Sequence, residues 1–268
     1  MSDGVGQREC GAMVEEHPHD YDTAMLEMLD IIWGDGFMSP GGPQAVRETL
    51  EGIDLRGKSV LDIGCGIGGV DQVLVSLGAG QVTAVDVAAP LVALARRRFT
   101  DRRITFQVIE PEAPLPFPDA SFDVVFTKDA WLHVLDKPAL LREVHRVLKP
   151  GGQLAGGDWM KGPDPFSADM IYFIELEGIP YHPITLADYG LMLHEVGFEQ
   201  VRLLDLNAWY RDLGKQELAR MKGELFDLMT EKLGEKARDH FLEDWRMLTV
   251  VLDKGELRPG RLWARKPA

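Results

Sequence analysis

The stretch Val60–Gly69, VLDIGCGIGG, decides the fold. An apolar run, Ser59–Ile63, breaks abruptly into Gly64, Gly66, Gly68 and Gly69. A second apolar run, Val82–Val87, follows and holds one acid, Asp86, 22 residues after Gly64. The order reads as strand, tight glycine turn, helix and strand. Glycines let a backbone come close to a ligand at the top of a parallel sheet, and an acid ending the second strand suits ribose hydroxyls. The pattern G-x-G-x-G-G alone also fits a βα turn without a ligand.

Working outward, the rhythm repeats. Ala89–Arg98 reads as a helix whose basic end, Arg96–Arg98, suits a solvated last turn. Ile104–Ile109 is a third strand, followed by Glu110, and Val124–Lys128 a fourth. DAWLHVLDKPALLREVHRVLKPGG, residues 129–152, reads as a short loop, a helix and a Pro-Gly-Gly stop. Gln153–Asp158, Val201–Leu206 and Arg261–Lys266 read as strands five, six and seven. These βα cycles predict an α/β fold with a doubly wound, mostly parallel seven-stranded sheet.

The flanks predict the remaining organisation. Residues 1–16 are polar and Gly-rich, a flexible tail. Asp20–Trp33 carries apolar residues at helical spacing, Gly34–Gly42 is a loop and Pro43–Leu50 a helix, so 17–50 form an N-terminal lid. Within one domain, 17–268, residues 51–158 form the cofactor-binding core and 159–184 a substrate insertion after strand five, with a helix at Asp169–Glu177. Residues 185–268 complete the sheet, with helices at Thr185–Val196 and, largely, Lys215–Leu252.

Net charge is −14 and the isoelectric point near 4.9, which disfavours nucleic acid and anionic membrane as partners. The two cysteines, Cys10 and Cys65, fall in the tail and the glycine turn, so no structural disulfide and a reducing cytoplasm are expected. The N-terminus shows no secretory pattern and no apolar run reaches membrane-spanning length. His17, His19, His145, His182, His194 and His240 lack metal-ligand spacing, so no metal is expected.

Three motifs in order, VLDIGCGIGG, FDVVFTKDA and LKPGGQL, resemble those of class I S-adenosylmethionine-dependent methyltransferases over about residues 57–158. A dinucleotide dehydrogenase normally lacks the second and third. The resemblance implies S-adenosylmethionine as methyl donor. It implies cofactor contacts from Asp62, Gly64, Cys65, Gly66, Asp86, Val87, Glu110, Lys128 and Asp129. Asp86 would accept from ribose hydroxyls and Glu110 would meet the adenine edge. WGDGFMSPGG, DAWLHV, YHPITLADYGLMLHEVGFEQVRLLDL and the Trp245 region resemble, more narrowly, the phosphoethanolamine N-methyltransferases from Tyr21 onward. That likeness implies a catalytic pair, Tyr21 and His133, with Asp129 near the sulfonium or the substrate amine. It also implies that Met38 and Ser39 close over the cofactor. His133 follows Asp129 by four, so on a helical turn the two would share a face. Tyr21 by itself reads equally as a core residue of an amphipathic helix.

The departures redirect the substrate. Phosphate-holding positions of that family fall on Trp159, Glu175, Ile179, Tyr181 and about Leu248, and Tyr181 alone keeps a matching donor. An acid at Glu175 would repel a phosphate. Glu175 and Glu177 suit a cationic amine instead, with Trp159, Tyr181 or Trp131 packed on a methylated ammonium. A solvated acidic helix face is the structural alternative for the two glutamates. Substrate contacts are therefore expected from Asp129, Trp159, Glu175 and Tyr181, and the expected reaction is N-methylation of a small amine. O- or S-methylation of another metabolite, a dehydrogenase and a cofactor-binding protein without chemistry remain alternatives.

Overall fold

The computed structural model describes residues 23–268. The tail and Tyr21 lie outside the described residues. Seven strands form one sheet: β1 (Ser59–Ile63), β2 (Gln81–Asp86), β3 (Ile104–Val108), β4 (Phe122–Lys128), β5 (Leu148–Lys161), β6 (Glu199–Asp205) and β7 (Leu257–Arg265). Their order is β3-β2-β1-β4-β5-β7-β6. The first five run parallel, and β7 enters antiparallel between β5 and β6.

Helices cover both faces. α1 (Thr23–Trp33) and α2 (Gly42–Thr49) precede the sheet, and α3 (Gly69–Ser76), α4 (Ala89–Arg98) and α5 (Lys137–Val147) are its crossovers. α6 (Ala168–Glu177) and α7 (Leu186–Val196) follow β5, and α8 (Asn207–Lys222) and α9 (Phe226–Lys254) lie between β6 and β7. α5 starts where Asp136 accepts from the Ala139 N–H, and α7 where Thr185 and Asp188 cap each other. β1 is buried on both faces, Asp62 included, because helices cover it on each side. Val60, Val82, Val124 and Phe126 face one core layer, while Leu61, Val85, Val125 and Leu154 face the other.

Strand β5 differs from expectation at both ends, β7 starts four residues early at Leu257, and α8 starts at Asn207 rather than Lys215. β5 takes in the LKPGG run after a register shift opposite Phe122–Val124, and it continues to Lys161. The extension exists because β7 pairs with it as far as Lys161 opposite Leu257, a long-range partner that local pattern does not reveal. Trp159 therefore stands on a strand rather than in the insertion.

Beyond the sheet, α9 packs against α8, α6 and α1. Two further apolar clusters result. One joins Leu26, Met28 and Leu29 of α1 to Ile67, Leu91, Met221 and Trp245. The other joins Leu132 and Trp159 to Phe173, Tyr210 and Leu248. The first carries α1 across the glycine turn, and the second roofs the space beside β4 and β5.

Candidate active site

Open α/β sheets bind ligands beyond the carboxyl ends of their strands. At the end of β1 the chain turns through Gly64, at φ 89°, where a Cβ would stand 2.2 Å from that of Ala130. Asp86, ending β2, clamps this turn: one oxygen accepts from the Gly66 N–H at 2.8 Å and the other from the Ala88 N–H at 2.9 Å. Each keeps a further lone pair for a ligand hydroxyl. Val87 is 52% exposed and Val108, ending β3, is 44% exposed, so neighbouring strand ends offer apolar surface to a flat ring. Glu110 is exposed beyond β3.

Beneath the turn lie two fully buried acids, Asp62 of β1 and Asp71 of α3, whose carboxyls hydrogen-bond to each other and have no cationic partner among the described residues. Burial, reinforced by the Asp86 charge, pushes Asp62 up to about 8. Burial beside Asp62 also pushes Asp71 up, and burial with these nearby acids raises the Cys65 thiol. A cradle floored by two buried acids without a cation fits a ligand that brings cationic or N–H groups, and it fits a nucleoside through Asp86 and the exposed valines.

The loop between α1 and α2 crosses the same turn. The Gly69 N–H donates to the Gly36 carbonyl at 3.0 Å, and a Cβ on Gly69 would meet Gly36 backbone at 2.5 Å. Glycine there lets the backbone of that loop approach closely. Met38 covers Gly66, with its sulfur 3.1 Å from where a Cβ would be. Ser39 accepts from Lys128 Nζ at 2.5 Å, and the same ammonium reaches the Pro40 carbonyl at 2.9 Å and Asp129 at 2.6 Å. Lys128 thus ties the end of β4 to the loop before α2. Arg98, expected in solvent, instead pairs with Asp30 and Asp35, and Arg96 donates to the Phe106 carbonyl. Sequence offered no signal for the Arg98 partners; Asp30 lies 68 residues away along the chain.

After β4 the chain departs from expectation. Asp129 has φ 56°, and only Trp131–His133 form a short 3-10 turn. Asp129 and His133 therefore share no helical face. The His133 turn is fixed from below by two residues that sequence reasoning missed. Asp158 of β5 accepts from the Leu132 N–H at 3.0 Å and from the Tyr189 hydroxyl at 2.5 Å. Burial pushes its carboxyl up to about 7, against those hydrogen bonds and the Lys137 charge, which hold it down. Lys137, itself lowered by burial, donates to the carbonyls of Val134 at 2.8 Å and His182 at 2.5 Å. The signal available was an acid in an apolar strand and a lysine beside Asp136 at a helix start.

His133 Nδ1 lies 2.7 Å from the Pro180 carbonyl, and its ring meets Tyr181 edge-on at 6.0 Å. Tyr181 packs edge-on against Phe173, also at 6.0 Å, and Trp159 against Tyr210 at 5.1 Å. The structure thus groups His133 with Tyr181, and places Trp159 in the adjoining cluster. Glu175 is exposed, because α6 turns that position outward while Phe173 and Glu177 lie on other faces. Trp131 is buried on the opposite side, against Leu141 and Tyr189, and cannot line this space. Among the described residues no group of three or more His, Cys, Asp or Glu side chains is arranged to hold a metal ion.

Comparison with known proteins agrees with the geometry. Residues 61–156 match a family model described as a methyltransferase domain. The 27-O-demethylrifamycin SV methyltransferase of Amycolatopsis mediterranei is 30% identical over 219 residues, 75% of this chain and 80% of the relative. This chain belongs to the class I S-adenosylmethionine-dependent methyltransferases. Within that class it resembles the phosphoethanolamine N-methyltransferases. That of Arabidopsis thaliana numbered 3 is 29% identical over 249 residues, covering 92% of this chain and 50% of the relative. The Haemonchus contortus phosphoethanolamine N-methyltransferase 2, solved in complex with S-adenosyl-L-methionine, shares the fold with a TM-score of 0.86 at 24% identity. It matches over 94% of this chain and 59% of its own. This chain spans about half the length of the plant relatives it matches.

Proposed function

We propose that this protein transfers a methyl group from S-adenosylmethionine to the nitrogen of a small amine, with His133 taking the proton and Tyr21 partnering it. One observation carries the proton-acceptor role. His133 Nδ1 faces a carbonyl, which only accepts, so Nδ1 holds the ring proton and Nε2 is the basic nitrogen of the neutral ring. An aliphatic amine is protonated near neutral pH and must lose a proton before its lone pair can attack.

Bound S-adenosylmethionine supplies a methyl on a positively charged sulfur, already activated towards nucleophiles. The chain's task is then to bind, align and exclude water. Asp86, Gly64 and Gly66 hold the nucleoside, with Val87 and Glu110 beside the base. Asp62 and Cys65 lie under the amino-acid end. Lys128, paired with Asp129, holds Met38 and Ser39 over the site. The acceptor lies between His133, Tyr181 and Trp159. The relatives named as phosphoethanolamine N-methyltransferases support nitrogen as the acceptor atom. The Amycolatopsis relative, covered over 80% of its length, favours a second reading, O-methylation of a hydroxyl with the same histidine as base.

The deciding experiment follows S-adenosylhomocysteine release over a panel of ethanolamine, phosphoethanolamine, glycine derivatives, phenols and thiols. Turnover of amines is expected. Turnover of hydroxyl compounds alone selects the second reading, and release with none of the panel sinks both.

A further inference from the structure

Residues 178–184 join α6 to the Thr185 cap of α7 without forming helix or strand. Three ties fasten this strap to the turn that carries His133. The His133 ring is bonded through Nδ1 to the Pro180 carbonyl at 2.7 Å. The His182 N–H donates to the Leu132 carbonyl at 2.8 Å. Lys137 Nζ donates to the His182 carbonyl at 2.5 Å and to the Val134 carbonyl at 2.8 Å. Tyr181 lies between the two tied residues, and its ring meets His133 edge-on.

Lys137 is the tie that local structure does not explain. It is the first residue of α5, where the helix dipole favours acids over cations, and it is 2% exposed. Burial opposes its charge, while the charges of Asp158 and Glu112 support it. Those two carboxylates serve the same turn. Asp158 accepts from the Leu132 N–H, and Glu112 accepts from the N–H groups of Leu135 and Asp136 at 3.0 and 3.2 Å. A buried ammonium at a helix start is disfavoured twice over. What it gains is a charge-assisted bond to a carbonyl 45 residues further along the chain.

We propose that Lys137 is a positioning residue for methyl transfer: it latches the 178–184 strap to the His133 turn, which keeps the His133 Nδ1 proton on Pro180 and sets Tyr181 against the ring. This inference rests on His133 being the proton acceptor. Both bonds of Lys137 go to backbone carbonyls, so it acts through His133 rather than on the reacting atoms. The hydrogen bond made by one imidazole nitrogen decides which nitrogen holds the proton. With the strap released, Nδ1 loses its carbonyl, and the neutral ring is free to carry its proton on Nε2, the nitrogen that must be basic.

The test reads the ring proton directly. Long-range proton–nitrogen correlation spectra of the full chain, labelled at histidine and loaded with S-adenosylhomocysteine, report the His133 ring, identified by its loss in H133A. The wild-type protein is expected to show Nδ1–H. K137M is expected to move part of that signal to Nε2–H and to lower kcat on the amine panel by about tenfold to a hundredfold, the cost of a misplaced group. S-adenosylhomocysteine affinity by calorimetry should stay near wild type, because the glycine cradle is untouched. K137R keeps the charge and the donors and should recover part of both losses. In an H133A background K137M should lower kcat little further, since residues that act as a unit are not additive. A folded K137M with wild-type tautomer and kcat overturns the inference. So does a full K137M loss that persists in H133A, which would make Lys137 structural. If K137M does not fold, K137R and the wild-type ring decide, and Nε2–H in the wild-type protein overturns the inference. Unchanged turnover in H133A overturns the proton-acceptor reading, while a tautomer shift in K137M still upholds the latch. With no turnover on the panel, the tautomer alone decides.

Discussion

The Trp33 indole N–H donates to Glu217 Oε1 at 2.8 Å, joining residues 184 positions apart. Glu217 Oε2 accepts from Tyr210 and from Trp245, each at 3.1 Å. One buried carboxylate therefore fastens α1 to α8 and α9. Burial raises its pKa, while the three donors hold it down. Glu217→Ala should lower stability by about 3 kcal/mol, because three buried donors lose their acceptor. Trp33→Phe removes one bond and should cost about 1 kcal/mol while weakening cofactor retention. Urea unfolding and cofactor titration measure both, and a wild-type Glu217→Ala midpoint would dismiss the fastening role.

Asp86→Ala should weaken cofactor binding by about 30-fold, roughly 2 kcal/mol, since the substitution removes a charged acceptor. It also frees the N–H groups of Gly66 and Ala88. Asp86→Asn keeps one acceptor and should fall between. Calorimetry with S-adenosylhomocysteine reads the affinity. Wild-type affinity in the alanine variant would move the nucleoside away from the end of β2.

His133→Ala should reduce turnover by about 10²- to 10⁴-fold, the usual worth of a positioned base. Cofactor affinity should change little. Equal loss in both quantities would make the residue structural rather than a proton acceptor.

Asp158 supports the His133 turn without a path to the reacting atoms. Tyr189→Phe removes the hydroxyl that accompanies Leu132 on this carboxylate. It should cost about 1 kcal/mol of stability. It should also lower kcat more than it raises the cofactor KM, because the histidine turn loosens while the cradle stays. A variant with normal kcat and lower Tm alone would confine Asp158 and Tyr189 to the core.

The buried acids set the pH dependence of stability. Asp158 and Glu177 stand near 7 and Asp62 near 8 in the fold. The unfolded chain releases these protons near an ordinary value of about 4. The fold thus binds more protons than the unfolded chain above about pH 4, and stability falls as pH rises through 7 to 8. His145, lowered by burial, opposes this with a single neutral ring. Tm should therefore decline between about pH 5 and 8, and Asp158→Asn should flatten the decline. A Tm that climbs across this range would contradict the sign.

The glycine turn, the acid ending β2 and the βα rhythm were legible because they are local: apolar runs, turn residues and spacing record short-range geometry. So the sequence by itself determined the sheet's first five strands and the methyltransferase class around VLDIGCGIGG. Contacts across long separations were not legible. Trp159 joined a strand because β7 returns from the far end of the chain to pair with β5. Glu175 and Glu177 looked alike, yet helix phase exposes the first, and packing against α9 sets the second beside Asp244. His133 lost its helical companion Asp129 to a left-handed backbone, and took its bearings from Pro180 and Asp158 instead. Gly69 and Gly66 are covered by the loop after α1, through Gly36 and Met38, a contact that only the fold creates. Local sequence chose which elements form. Burial, helix phase and a late strand's return decided which charges meet.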